Sequence, residues 1–224
     1  GRGFGRLLLD FAEAEAVLQQ RVGRGARGAR DLTREQAEGV FGAMLDGQVP
    51  ALELGALLIA LRVKGESADE MAGFLAAMQA RTAALTAPAG PRTVLLPSFN
   101  GARKQANLMP LVAQLLAREG VPVLVFGRHD FDSRVSPFEL LEVLDLPASP
   151  GLTDAERRLR EERLAVLPLQ LLNPGLNELM ALRPRLGVRN SAHSLAKLLD
   201  PFPAGRSVRV VAVTHPEYLD SMAA

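Results

Sequence analysis

The chain has 224 residues, 48% of them apolar and 23% charged, with a formal net charge of +1, the composition of a soluble globular protein large enough for one or two domains with a full core. It has no cysteine, which excludes disulfides, thiol catalysis and thiolate metal sites, and its near-neutral charge means that nucleic-acid binding would need local positive surface rather than a basic chain. No uncharged apolar run approaches the roughly 18 residues of a membrane span, and the start GRGFGRLLLDF carries a charge within its apolar run and no small-residue cleavage pattern, so neither a span nor a signal peptide is expected and a cytoplasmic location fits.

The first 90 residues read as helical. Leu7–Val22 has apolar residues at helical spacing, and the glycine-rich RVGRGARGARD that follows cannot continue it. Thr33 is an N-cap with Gln36 as its capping-box partner. The helix it starts runs to about Leu45 and is ended by Asp46-Gly47. Pro50 opens ALELGALLIALRVK, closed by Gly65. Ser67, with Glu70 at the box position, caps a further helix to about Thr82. ALELGALLIALRVK is apolar nearly all round, so it is expected at the centre of a bundle.

TAPAGPR, residues 86–92, reads as a linker. Beyond it, Thr93–Leu96, Val121–Phe126, Leu164–Leu169 and Val208–Thr214 are short, apolar and partly β-branched. Helical stretches separate them at Gln105–Glu119, Ser136–Leu144, Thr153–Arg163 and between Gly175 and Leu199. This alternation predicts an α/β domain with a mostly parallel sheet. The organisation is therefore a helical domain over 1–90 and an α/β domain over 91–224. A sheet of that size is small, and the second domain is expected to be incomplete at its C-terminus.

The loop PSFNGARKQANLMPL, 97–111, joins a strand to a helix, where loop amides and a helix start can hold an anion. It is glycine-poor and cationic: Asn100, Gly101, Arg103, Lys104 and Asn107 are candidate phosphate-binding residues. A second group, Arg183, Arg185, Arg189 and Lys197, recurs along one helical region, with Asn190 and Ser194 as extra donors. Arg24 and Arg27 lie in the glycine-rich loop, with Arg21 and Arg30 beside them. Each group has a plain alternative as solvated surface charge or flexible loop. Phe99 is placed either to stack on a base or to pack in the core. His193 and His215 are read as structural, since the three histidines have no metal-ligand spacing.

The stretch LTREQAEGVFGAMLDGQVPALELGALLIALRVKGESADEMAGFLAAM resembles the N-terminal helical domain of the anthranilate phosphoribosyltransferase and class II nucleoside phosphorylase superfamily. Asp46-Gly47, Gly55, Ala60-Leu61-Arg62 and Lys64-Gly65-Glu66 carry the match. Leu186-Gly187-Val188-Arg189-Asn190 resembles the family's Leu-Gly-Ile-Arg-Thr, and His215-Pro216-Glu217 resembles the start of a later strand-to-helix turn. The resemblance implies a helical bundle followed by an α/β domain. PSFNGARKQANLMPL and GVRNSAHSLAKLLDPF further resemble a divergent branch of dimeric nucleic-acid-binding proteins without established transferase activity.

Two departures bear on chemistry. The transferase's Gly-Thr-Gly-Gly-Asp loop lets backbone amides close on diphosphate, whereas the matching place here reads Pro97-Ser98-Phe99-Asn100-Gly101. Its Lys-His-Gly-Asn-Arg loop is matched by Phe126-Gly127-Arg128-His129-Asp130, without the lysine. The acidic pair that binds magnesium in the transferase falls, by the resemblance, in a region beyond residue 224, so no metal site is placed in these residues. What the resemblance implies is therefore a non-catalytic homodimer that binds DNA or RNA, single- or double-stranded, through phosphates and without sequence preference. It would need no cofactor and no membrane. The alternative is a magnesium-dependent transfer of ribosyl phosphate from phosphoribosyl pyrophosphate to anthranilate or a similar acceptor, in which Arg189 would meet the acceptor carboxylate. A third reading is a non-catalytic dimerisation module that retains a small-anion site.

Overall fold

A computed structural model describes residue 16 and residues 28–99, 101, 106–128 and 134–211. In chain order the helices α1 (Arg34–Leu45), α2 (Ala51–Lys64) and α3 (Ala68–Ala80) are followed by β1 (Thr93–Ser98), α4 (Met109–Arg118) and β2 (Val123–Gly127). Then come α5 (Pro137–Val143), α6 (Leu152–Glu161), β3 (Leu164–Pro168), the short α7 (Leu169–Leu172), α8 (Pro174–Ala181), α9 (Arg183–Leu186), α10 (Ala192–Leu195) and β4 (Ser207–Arg209). They form two compact units, residues 1–81 with 175–195, and residues 82–174 with 196–224. The helix expected over Leu7–Val22 lies outside the described residues except for Ala16, which is helical.

The first unit is helical, and its helix starts are where the capping residues put them. Thr33 and Ser67 each accept from the backbone N–H three residues on, and Gln36 and Glu70 reach back to the cap N–H groups. Phe41 of α1 and Phe74 of α3 stack with ring centroids 4.8 Å apart. A side chain at Gly73 would put its Cβ 2.8 Å from the Ala37 Cβ, so the two helices approach too closely for anything but glycine there. α2 departs from expectation. It buries Leu57, Leu58 and Leu61 but leaves Leu52, Ile59 and Val63 exposed, so it is not enclosed within its unit.

The division at residue 90 is also revised, because residues 175–195 return to the helical unit. The reasons are local. Gly175 lies directly against the Leu45 carbonyl, Ser191 Oγ donates to Glu66 Oε1 at 2.5 Å, and α10 packs on α3.

Among the described residues the second unit holds a four-stranded, wholly parallel sheet in the order β3-β2-β1-β4. One side of its core is made by Leu96, Val123, Val125, Leu164 and Val166 of the strands against Ala113 of α4 and Phe138 and Leu141 of α5. β1 runs two residues past its expected end, through Pro97 to Ser98, and pairs with β2 throughout. β4 stops opposite Leu95, so its pairing with β1 asks for no N–H from Pro97. Other bounds moved as well, among them that β2 starts at Val123 rather than Val121. α4 starts at Met109 rather than near Gln105, the strand expected from Leu164 ends at Pro168, and the last strand is only Ser207–Arg209 within the described residues.

Candidate nucleic-acid interface

The candidate residues divide between the two units. In the second unit the described candidates Gly101 and Asn107 follow β1, at the C-terminal end of the sheet, where open parallel sheets bind ligands, and Lys197 stands apart from them in the chain. Ser98 and Gly127 are in register at the ends of β1 and β2, and the Arg128 N–H donates to the Ser98 carbonyl at 3.2 Å. Gly127 lies so close to that carbonyl that no side chain fits. Phe99 is buried and packs edge-on against Phe126, ring centroids 5.9 Å apart, so it is a core residue and not a stacking platform. Gly101 is buried against Arg134 and Val135 of the next loop. Asn107 donates from Nδ2 to the Val135 carbonyl at 3.2 Å and accepts the Met109 N–H, at the start of α4, at 3.3 Å. Asn100, Arg103 and Lys104 lie outside the described residues, as do Arg24 and Arg27.

In the first unit Arg183 is half-buried on α9, while Arg185 and Arg189 are exposed. The expectation of a single helical run of cations fails here. Gly187 is left-handed at φ 73° and ends α9. The buried Asn190 then makes a turn, donating from Nδ2 to the Leu179 carbonyl at 2.9 Å and accepting the Ala192 N–H at 3.1 Å. His193 Nδ1 stands 3.3 Å from the Asn190 N–H and 3.2 Å from its Oδ1, a structural role as expected. Asn190 is therefore a strut beneath Arg189. Lys197 belongs to the second unit.

A buried carboxylate fixes the start of the bundle. Glu70 accepts the Leu32 N–H at 3.0 Å, the Ser67 N–H at 2.8 Å and Lys64 Nζ at 2.6 Å, and Lys64 also reaches Asp31 at 2.7 Å. Burial disfavours the Lys64 charge, but its bonds to Asp31 and Glu70 outweigh that and raise its pKa. This group ties down the segment that follows the arginine-rich loop. The capping-box pattern foretold Glu70 but gave no sign of Lys64 or Leu32.

Sequence reasoning passed over Arg134, which has no motif around it. It emerges only because Gly101 and Asn107 both fasten to the Arg134–Val135 backbone. Among the described residues no three His, Asp or Glu side chains converge as a metal site, and no helix is long and apolar enough to cross a membrane. The described part of the β1 loop, with Phe99 turned inward and Gly101 packed against its neighbour, does not reproduce a glycine-amide cradle for diphosphate.

A helical bundle followed by a parallel α/β unit is the architecture of the anthranilate phosphoribosyltransferase-like superfamily of glycosyl transferases, and the chain belongs to it. The family model for the glycosyl transferase helical bundle domain matches residues 11–82. The uncharacterized protein YbiB of Escherichia coli K12 is 47% identical over 203 residues, which are 90% of this chain and 63% of that protein. Anthranilate phosphoribosyltransferase of Rhizobium meliloti is 30% identical over 86% of this chain and 56% of its own length. The crystal structure of the Thermus thermophilus transferase matches 94% of this chain and 61% of its own, with TM-score 0.76 and 25% identity. The yeast transferase in complex with PRPP and Mg matches with TM-score 0.74 at 15% identity, a likeness of fold. The chain thus spans about three-fifths of the length of the relatives it matches.

Proposed function

We propose that this protein is a non-catalytic homodimer that binds nucleic acid through its phosphates on a transferase-like scaffold. The observation that carries the reading is the pair of exposed arginines, Arg185 and Arg189, presented from a turn that Asn190 and Ser191 anchor in the bundle. Guanidinium groups on a fixed frame suit phosphate oxygens and lose little freedom on binding. No described aromatic side chain offers a base platform in the β1 loop, since Phe99 is buried, so little sequence preference is expected.

The homodimer reading rests on α2. Leu52, Ala56, Ile59 and Val63 recur at spacings of four, three and four residues on the side opposite Leu57, Leu58 and Leu61, and all four are exposed. A second copy would cover that stripe by a twofold contact. Doubling the arginine turns would raise affinity despite the small net charge.

The test is a titration of the protein with labelled oligonucleotides of unrelated sequence over a range of salt, beside one with phosphoribosyl pyrophosphate and magnesium. We expect the logarithm of affinity to fall linearly with the logarithm of salt concentration, with a slope of several phosphate contacts. Replacing Arg185 and Arg189 by Gln should lower that slope by about 2 for each protomer engaged, for every sequence tried. Salt-independent affinity, or no binding at low salt, would overturn the reading. Magnesium-dependent product from anthranilate and phosphoribosyl pyrophosphate, lost in Arg189→Ala, would replace it with the transferase.

A further inference from the structure

We infer that Arg134, on the loop after β2, is a further phosphate contact of the nucleic-acid interface, and that Asn107 serves binding only by positioning Arg134. The inference rests on the nucleic-acid reading above and goes beyond it, because it adds a residue and changes the role of another.

The loops after β1 and β2 leave neighbouring parallel strands at the same end of the sheet, from Ser98 and Gly127. They are joined by one hydrogen bond and one close packing contact. Asn107 Nδ2 holds the Val135 carbonyl at 3.2 Å. Gly101 presses on the same place: a Cβ built there would stand 2.7 Å from both the Arg134 Cβ and the Val135 oxygen. One residue further on, Ser136 and Glu139 close a capping box over the start of α5, with Ser136 Oγ accepting the Phe138 and Glu139 N–H groups at 3.0 and 3.3 Å. Glu139 Oε2 accepts the Ser136 N–H at 3.2 Å. These amides are already bonded within the cap and offer an anion no free donor, which leaves Arg134, next to them in the chain, as the cationic candidate among the described residues. Arg134 is half-exposed, and the backbone that follows it is held at Val135 and Ser136. A charged fork on a braced backbone has the chemistry of a phosphate contact. Asn107 is bonded at both ends of its carboxamide, to Val135 and to Met109.

The experiment measures binding of one mixed-sequence oligonucleotide at several salt concentrations by wild type, Arg134→Gln, Arg134→Lys, Asn107→Ala and the Arg134→Gln/Asn107→Ala pair. We expect Arg134→Gln to reduce the salt slope by about 1 for each protomer engaged and to weaken binding on the order of three- to tenfold per contact near 0.1 M salt. Arg134→Lys should restore the slope, because the charge returns. Asn107→Ala should weaken binding alone and add nothing in the Arg134→Gln background, as for two residues that act as one. An unchanged slope in Arg134→Gln overturns the proposal, as does full additivity of Asn107→Ala. If wild type itself fails to bind, the nucleic-acid reading falls and takes this inference with it. If wild type binds and the Arg185/Arg189 variant loses slope while Arg134→Gln does not, only this inference falls.

Discussion

Glu70 shows how one side chain can hold three segments together. Its carboxylate is fully buried and takes donors from Leu32, Lys64 and Ser67. Glu70→Ala would leave Lys64 Nζ, on a side chain only 7% exposed, without its buried partner, and would strand two backbone N–H groups. Breaking a buried pair from one side costs about 3–5 kcal/mol, so we expect a loss of that size in urea unfolding. Lys64 has its own pH signature. Its folded pKa is raised, so the stability it contributes is fully present below the unfolded lysine value of about 10.4 and is lost as pH rises through the folded value. Unfolding midpoints should therefore fall in strong alkali, and less so in Lys64→Met, which carries no titrating group. Asp154 runs the other way: its bond to Arg157 lowers its pKa, so its contribution is present above the unfolded value of about 3.9 and is lost as pH falls through the folded one.

At the scale of elements, the helix starts marked by capping boxes were legible, while the uncapped start of α4 and the strand ends were not. The capping boxes expected at Thr33 and Ser67 form, and a third at Ser136 has the same pattern, since a hydroxyl and a carboxylate or carboxamide three residues apart satisfy each other's backbone groups. Ser136→Ala is expected to cost about 1 kcal/mol, read from the shift in thermal midpoint, and somewhat more because Ser136 is fully buried. The β1 extension through Pro97 was hidden, because a proline within a strand reads as its end unless the neighbour on that side is known to stop short. Gly127 was equally silent. Any Cβ there meets the Ser98 carbonyl, which is backbone and cannot swing aside. Gly127→Ala should cost about 1–3 kcal/mol or more, and it should part the loops after β1 and β2. Thermal melting gives the first effect, and amide exchange in Gly101 and Asn107 the second.

For the whole molecule, the exposed stripe on α2 carries the heaviest consequence. Micromolar wild-type protein should sediment as a dimer, and Ile59→Glu with Val63→Glu should give a monomer whose fold is retained, because both side chains are exposed in one copy. A wild-type monomer would remove both the dimer and the gain from paired arginine turns. Sequence alone determined the order of a helical region before an α/β region, the parallel sheet and the caps, because helical periodicity, β-branched runs and capping pairs are local properties of the chain. The family likeness was also legible, in strings such as Lys64-Gly65-Glu66 and Leu186-Gly187-Val188. What only the tertiary structure decided was which segments share a core and which polar groups spend their bonds inside it. Residues 175–195 rejoin the bundle although they follow three strands, because Gly175 fits against Leu45 and Ser191 reaches Glu66. Asn107 and Asn190 read as donors for a ligand but are bonded within their loops, and α2 reads as a central helix but buries one face alone. Burial and hydrogen-bond partnership depend on residues far apart in the chain, and composition and spacing carry no record of which distant residue arrives.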